Sequence, residues 1–394
     1  MKIAITGASG KVARALVPYL RDAGHDLVLI GRDPEKLSAL YPQYRTQSFS
    51  EFKTSHESHD ILLHLAATNN DTDAELGAFL NVNRDLAIDL AKRNHIGRFI
   101  YASSLHALDS GNRSPYAVSK RAGADALRAL DGDISILYLP FIQLDGFHGR
   151  LSPLNRLPRF VSRVVFQILA ALKPVAHVSA LAGFLNSGNF GEGFQESFLP
   201  TDTARNWFYR SFRATLDVAF SLLMLVCFWW LFVLLAFAIR QESPGRAIFR
   251  QERVGKNLKP FTLYKFRTMK TGTPSRASHE VSRSAVTRIG AFLRRSKLDE
   301  FPQVFNMLAG NLSLIGPRPS LFTQSELLAA RQARGVYLQK PGITGWAQAH
   351  GIDMSDPEKL AWWDAAYIAQ QSVMTDGKIL WLTFIGRGNG DRTA

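Results

Sequence analysis

From Val218 to Ile239 the chain runs 22 residues without a charge, VAFSLLMLVCFWWLFVLLAFAI. A stretch that long and that apolar is sufficient to enter a bilayer. It also marks a change in charge. Residues 1–205 carry 22 Lys/Arg against 20 Asp/Glu, a net +2, whereas residues 206–394 carry 25 against 13, a net +12. A basic excess implies an acidic partner, whether nucleic acid, an anionic membrane surface or a phosphorylated substrate. With a bilayer-length segment near the start of the basic half, membrane and phosphorylated substrate are favoured and nucleic acid is not expected. At 394 residues the chain is too long for one ordinary core, so two domains are expected, over 1–205 and 206–394. Its 46% hydrophobic and 20% charged residues exclude a disordered chain. The single cysteine, Cys227, rules out an intrachain disulfide and suits a reducing compartment. The opening MKIAITGASG reads as a strand and a glycine turn rather than a signal peptide, so a cytoplasmic N-terminus is expected.

In the front half, apolar strands are expected at Lys2–Thr6, Leu27–Ile30, Ile61–Ala66 and Phe99–Ala102. Helical stretches lie between them, one running to Leu20 and one over Ala74–Asn94. This alternation predicts an α/β fold, a Rossmann-like doubly wound parallel sheet. Asp33-Pro34-Glu35-Lys36 reads as an N-cap with proline in the first helical position. Glycines after the first strand, in Thr6-Gly7-Ala8-Ser9-Gly10-Lys11-Val12-Ala13, let a helix N-terminus approach a pyrophosphate; a bare tight turn is the plainer reading. Ser103-Ser104 ends a strand, and Tyr116-Ala117-Val118-Ser119-Lys120 opens a helix on which Tyr116 and Lys120 share a face. An ammonium beside a phenol lowers its pKa, so Tyr116 is expected to exchange a proton with a substrate oxygen that Ser104 also binds. A solvated helix face is the bland alternative.

Taken together, TGASGKVA, HDILLHLAA, Asn81-Val82-Asn83, YASS at Tyr101–Ser104 and YAVSK resemble the extended short-chain dehydrogenase/reductases of the nucleotide-sugar epimerase, dehydratase and reductase type. The third turn glycine of that family is Ala13 here. The resemblance implies a nicotinamide cofactor bound by Gly7, Ser9, Gly10, Lys11, Val12, Asp60, Ala66 and Lys120, with Ser104, Tyr116 and Lys120 catalytic. Enzymes that prefer NAD place an acidic residue after the second strand. This strand ends in Gly31-Arg32 with Asp33 assigned to the helix cap, so Arg32 favours NADP(H) over NAD, unless it stacks on the adenine. After Pro140 about 65 residues remain before the apolar run, fewer than the family's usual substrate lobe.

The back half places fixed cations around a carboxylate pair. Arg267, Arg294, Arg295, Arg318, Lys340 and Lys265 are candidates for binding a substrate diphosphate, and the arginines offer bidentate geometry. Adjacent Asp299-Glu300 suits Mg²⁺ held through one or two oxygens, and an aspartate is also a nucleophile in phosphoryl transfer. The bland reading makes Asp299 the N-cap of a helix over Glu300–Leu308. FRQERVG, YKFRTM, KLDEFPQVFNML, LSLIGPRP and KPGITGWAQ resemble, in order, the bacterial sugar transferases, monotopic polyprenyl-phosphate phosphoglycosyl transferases with a small α-rich domain. That resemblance implies Asp299 as covalent nucleophile, Glu300 as the residue assisting Mg²⁺, and Arg318 on the nucleotide-sugar phosphates. Members of the family usually break the membrane helix with Ser-Pro; here Trp229-Trp230 stands near that point and 218–239 holds no proline.

The combined expectation is a bifunctional enzyme. NADPH reduces a UDP-4-keto-6-deoxy-N-acetylhexosamine to a QuiNAc- or FucNAc-type sugar, whose phosphosugar then passes to polyprenyl (undecaprenyl) phosphate with release of UMP. A C4 epimerase, or a non-catalytic nucleotide-sugar sensor, in the front half are the alternatives. Both domains are expected on the cytoplasmic face of a bacterial inner membrane, in contact with membrane lipid, and a homodimer is left open. His56-Glu57-Ser58-His59-Asp60 reads as a solvated loop, and the Arg-rich stretch Ser152–Ala170 either rests on a membrane surface or packs within the first domain.

Overall fold

The computed structural model describes residues 1–68, 74–93, 95–147, 149–188, 190–273 and 285–386. Chain contacts divide it into two compact units: Met1–Ala170 with Pro174–Thr203, and Ala171–Lys173 with Ala204–Ala394.

The first unit is built on strands β1 (Lys2–Thr6), β2 (Asp26–Gly31), β3 (Arg45–Ser48), β4 (His59–His64), β5 (Ile96–Ser104) and β6 (Ile134–Leu139). Two short strands, β7 (Phe141–Gln143) and β8 (Val175–His177), pair in a sheet of their own, and β9 (Gln195–Phe198) closes the edge of the large one. The seven-stranded sheet is parallel throughout, in the order β3-β2-β1-β4-β5-β6-β9. The order reverses between β1 and β4, and a crevice outside the carboxyl ends of such strands is where doubly wound folds hold ligands. Near-continuous apolar strands such as Ile3–Ile5 and Ile61–Leu63 are buried because helices cover both faces. Asp33 caps the helix Pro34–Leu40 as its sequence suggests, accepting the Lys36 amide at 3.0 Å. The helix expected over 74–94 spans 76–91, and its middle, Asn81–Asp85, opens into a π-turn.

The second unit begins with the 36-residue helix Trp207–Glu242. It continues through an antiparallel hairpin, β10 (Ile248–Val254) and β11 (Pro260–Phe266), and a parallel pair, β12 (Ser313–Ile315) and β13 (Gly342–Thr344), set among short helices. The long helix is broken at Phe228, whose φ of −123° and ψ of 16° are not helical. No proline causes this. The indole N–H of Trp230 donates to the Cys227 carbonyl at 3.0 Å, inserting a side chain into the backbone ladder, a recognised cause of kinks. Both halves of the helix pack on the same small domain. Near its start Asp217 accepts the Leu314 amide at 2.8 Å and the Ser313 hydroxyl at 3.0 Å. Near its end Leu235 and Ile239 join a core with Phe266, Leu293, Phe301 and Val304. Along the rest, Val226, Trp229, Trp230, Val233, Leu234 and Phe237 stay exposed.

Candidate active sites

Gly7 takes φ +68°, and a Cβ on it would lie 2.7 Å from the Ala66 backbone, so the turn after β1 and the end of β4 meet as only glycine allows. The Tyr41 hydroxyl donates to the Ala8 carbonyl at 3.0 Å, and Arg14 Nε donates to the Ser9 carbonyl at 2.9 Å. Gly10 starts the helix Lys11–Asp22 with no side-chain cap, leaving amides at that N-terminus open to an anion. Ser9, Lys11 and Arg32 are exposed and Val12 is half-buried around the turn.

Asp60 is not part of this cluster. It is the second residue of β4 and accepts the Lys2 amide at 2.7 Å, whereas the glycine turn follows Thr6, which pairs with His64. Four residues of strand, about 13 Å, separate it from the carboxyl edge, so its expected cofactor contact is withdrawn.

The second constellation sits at the ends of β5 and the helix Pro115–Arg128. The Tyr116 phenol is close enough to Ser104 for that residue to act on its proton affinity. Lys120, fully buried, donates from Nζ to the Ala102 carbonyl at 2.8 Å and lies 4.6 Å from the centre of the Tyr101 ring. The charge effect expected of Lys120 on Tyr116 is overturned. Burial pushes the Tyr116 phenol up, with Ser104 only partly opposing it, and burial brings the Lys120 ammonium down to about 7. Buried Asn83, in the π-turn, holds this region together. Its side chain exchanges two 3.1 Å bonds with the Thr68 backbone and donates to the Ser119 hydroxyl at 2.9 Å.

In the second unit the helix Arg288–Ser296 ends at Lys297 in the left-handed region, φ 58°, a cost for any side chain that recurs at functional sites. The chain then makes one tight turn, Leu298–Glu300, before the helix Gln303–Leu308. That helix is capped at Pro302 with no side-chain bond, so Asp299 is not its cap. Lys265 Nζ lies 2.8 Å from Glu300 Oε1, and Arg318 Nη1 lies 3.5 Å from the same oxygen. Burial pushes Asp299 up to about 6, against the pull of Lys265 and with help from the adjacent Glu300 charge. Burial opposes ionisation of Glu300 too, but Lys265 and Arg318 outweigh it and hold that carboxylate below its usual range. Arg294 also faces Asp299 electrostatically, and its Nε donates to the Thr268 hydroxyl at 3.0 Å. Gly290 makes that approach possible, since a Cβ there would lie 2.0 Å from the Thr268 carbonyl.

Three expected phosphate contacts do not converge. Arg267 donates to the Pro244 carbonyl at 3.0 Å, the Thr271 hydroxyl at 2.9 Å and the Ser243 carbonyl, so it fastens the loop after the long helix. Arg295 is exposed and pairs with neither carboxylate, and the Lys340 ammonium lies near Gly310. Sequence reasoning missed the support behind Arg318. Buried Arg331 pairs with buried Asp364 at 2.6 Å and donates to the Arg318 carbonyl at 2.8 Å. It also missed the network in which Arg213, Tyr209 and Tyr367 converge on buried Asp376.

Residues 208–387 match the bacterial sugar transferase family model, and residues 7–160 match an NAD(P)H-binding family model. The chain is 38% identical to the uncharacterized sugar transferase EpsL of Bacillus subtilis, over 42% of this chain and 82% of that protein. It belongs to the bacterial sugar transferase family. It is also 37% identical to a UDP-glucose:undecaprenyl-phosphate glucose-1-phosphate transferase of Xanthomonas campestris, over 46% of this chain but only 40% of that protein's length. Among solved structures, a short-chain dehydrogenase/reductase superfamily protein of Agrobacterium tumefaciens with bound NAD aligns with 50% of this chain and 77% of its own. That likeness has a TM-score of 0.38 and 16% identity. The sugar transferase segment thus holds the Asp299–Glu300 cluster, and the NAD(P)H-binding segment holds the glycine turn and Tyr116.

Proposed function

We propose that the chain is a bifunctional nucleotide-sugar enzyme, with an oxidoreductase domain over 1–205 and a phosphoglycosyl transferase domain over 206–394. The observation that carries the transferase reading is the split pair, Asp299 raised and Glu300 lowered beside Lys265 and Arg318. Asp299 attacks the β-phosphorus of a UDP-sugar; the bond to the leaving phosphate breaks and UMP departs with its electrons. A polyprenyl (undecaprenyl) phosphate oxygen then attacks the same phosphorus and expels the Asp299 carboxylate, giving polyprenyl diphosphosugar. Arg318 and Lys265 balance charge that builds on the phosphate oxygens. The hard oxygen donors of Asp299 and Glu300 suit Mg²⁺, which would neutralise the diphosphate.

The first unit fits a nicotinamide dinucleotide on two counts: the Gly7 cradle that a Cβ would fill, and the uncapped helix N-terminus at Gly10. Gly7, Ser9, Gly10, Lys11, Val12 and Ala66 would hold it, with Lys120 further along the sheet edge. Exposed Arg32, just past the end of β2, favours NADP(H). Bound there, the cofactor supplies a hydride. Ser104 and Tyr116 orient the C4 oxygen of a UDP-4-keto-6-deoxy-N-acetylhexosamine, and Tyr116 Oη gives that oxygen its proton, leaving a QuiNAc- or FucNAc-type sugar for the second domain.

The break at Phe228 and the packing of both helix halves on one domain support a re-entrant insertion. Both domains then lie on the cytoplasmic face of a bacterial inner membrane, where surface-glycan synthesis begins. The test is UMP release from a panel of UDP-sugars with undecaprenyl phosphate and Mg²⁺, alongside NADPH absorbance with the 4-keto sugar. Interconversion of UDP-GlcNAc and UDP-GalNAc without NADPH consumption would replace reduction by epimerisation.

A further inference from the structure

Segment 146–173, which lies in the first unit up to Ala170, carries four arginines and one lysine and no acidic residue, whereas the remainder of 1–205 is net negative by three. Within it, the helix Arg159–Leu172 is anchored at a few points, and Ala171 near its end is fully buried. Ser162 is buried, and the Phe166 ring packs 5.3 Å from Phe147, whose backbone Asn155 fastens at 2.7 Å. Much of the helix's apolar surface is nonetheless uncovered. Phe160 is 79% exposed, and Val161, Ile168, Leu169 and Leu172 are exposed with it, as is Leu157 just before the helix. Arg163 follows Phe160 by one turn, and Arg156 and Arg159 are likewise exposed.

We propose that this helix is a second bilayer contact, by which the first unit lies on an anionic lipid surface. An apolar face beside a purely cationic margin is the signature of an interfacial helix, and the absence of acidic residues makes the match to anionic headgroups one-sided. A second copy of the chain would present the same cationic margin and be repelled, whereas exposed Arg156, Arg159 and Arg163 match anionic headgroups. The affinity required is small, because the chain carries its bilayer-length helix from Trp207 onward and so holds the first unit near the membrane at high effective concentration. The inference rests on membrane insertion of that long helix.

The test uses the full chain with Cys227→Ala and Val161→Cys, labelled at 161 with an environment-sensitive dye. Flotation with vesicles reports the long helix independently of the dye. On vesicles rich in phosphatidylglycerol the emission should shift to the blue and be quenched by shallow spin-labelled lipid. On pure phosphatidylcholine vesicles the protein should still float, with the dye in water. Arg156→Glu, Arg159→Glu and Arg163→Glu together should abolish the shift while flotation and the far-ultraviolet circular dichroism are unchanged. A dye that stays in water on both lipids overturns the proposal, as does one already buried in detergent, which would mean a protein neighbour covers this face. A shift equal on both lipids removes the role of the cations and overturns it too. Failure to float would instead refute the long helix as anchor.

Discussion

The two candidate catalytic clusters set their proton affinities by different means. In the first unit Tyr116 and Lys120 are moved by burial, one up and one down, with no carboxylate acting on either among the described residues. In the second, burial and neighbouring charge compete, and they separate two adjacent carboxylates in opposite directions. A site that passes a proton to a neutral oxygen needs few fixed charges. One that handles a diphosphate needs several cations, and those cations also decide which of two acids stays ionised. The +12 charge of residues 206–394, against +2 for 1–205, is the composition-level trace of that difference.

If the clusters act separately, mutations should separate too. Asp299→Asn should lower phosphosugar transfer by roughly 10⁴-fold or more, the scale of losing a covalent nucleophile, and leave NADPH oxidation untouched. Tyr116→Phe should do the converse, reducing NADPH oxidation by about 10²–10⁴-fold and sparing UMP release. Cross-effects on both assays would merge the two sites into one. Lys265→Ala should lower transfer by roughly 10²–10³-fold through lost charge stabilisation, and it should also raise the pH at which Glu300 ionises.

The pH response sharpens the contrast. Only the ionised Asp299 is nucleophilic, and its affinity for protons is raised to about 6, so transfer should fall as pH drops through 6 rather than through the ordinary aspartate range. An acid whose pKa is raised on folding stabilises the fold most when protonated, and that contribution is lost as pH rises through the folded pKa. Asp299→Asn should therefore raise the melting temperature at neutral pH while abolishing transfer. The smallest effect is geometric. Trp230→Phe removes the indole donor at the break of the long helix; if that bond makes the break, spin labels at Thr215 and Arg240 should move apart by a few ångströms. An unchanged distance would assign the break to packing.

Much of this was legible because local rules and tertiary structure agree. Strand and helix alternation, the Asp33 cap and the glycine turn all depend on short-range chemistry, and the folded chain keeps them. The failures share a cause: a side chain's type is written in the sequence, but its direction is not. Asp60 is two residues into a strand and so lies at its far end, which only its bond to the Lys2 amide reveals. Arg267 and Lys265 are two apart, yet one fastens a loop and the other meets Glu300. Arg331 gave no sign at all, because its partner Asp364 lies 33 residues further along the chain. The absence of proline from 218–239 gave no sign of the helix break, which falls at Phe228 beside the Trp230 indole bond to the Cys227 carbonyl.

The central claim is that Asp299 becomes covalently phosphoglycosylated, and mass spectrometry of the full chain tests it most directly. Protein incubated with a UDP-sugar and Mg²⁺ but no lipid phosphate, then quenched in acid, should gain the mass of one phosphosugar. After digestion the gain should map to Asp299, disappear on adding undecaprenyl phosphate, and be absent from Asp299→Asn. Turnover without any adduct, or an adduct that persists in the Asn variant, would contradict the account.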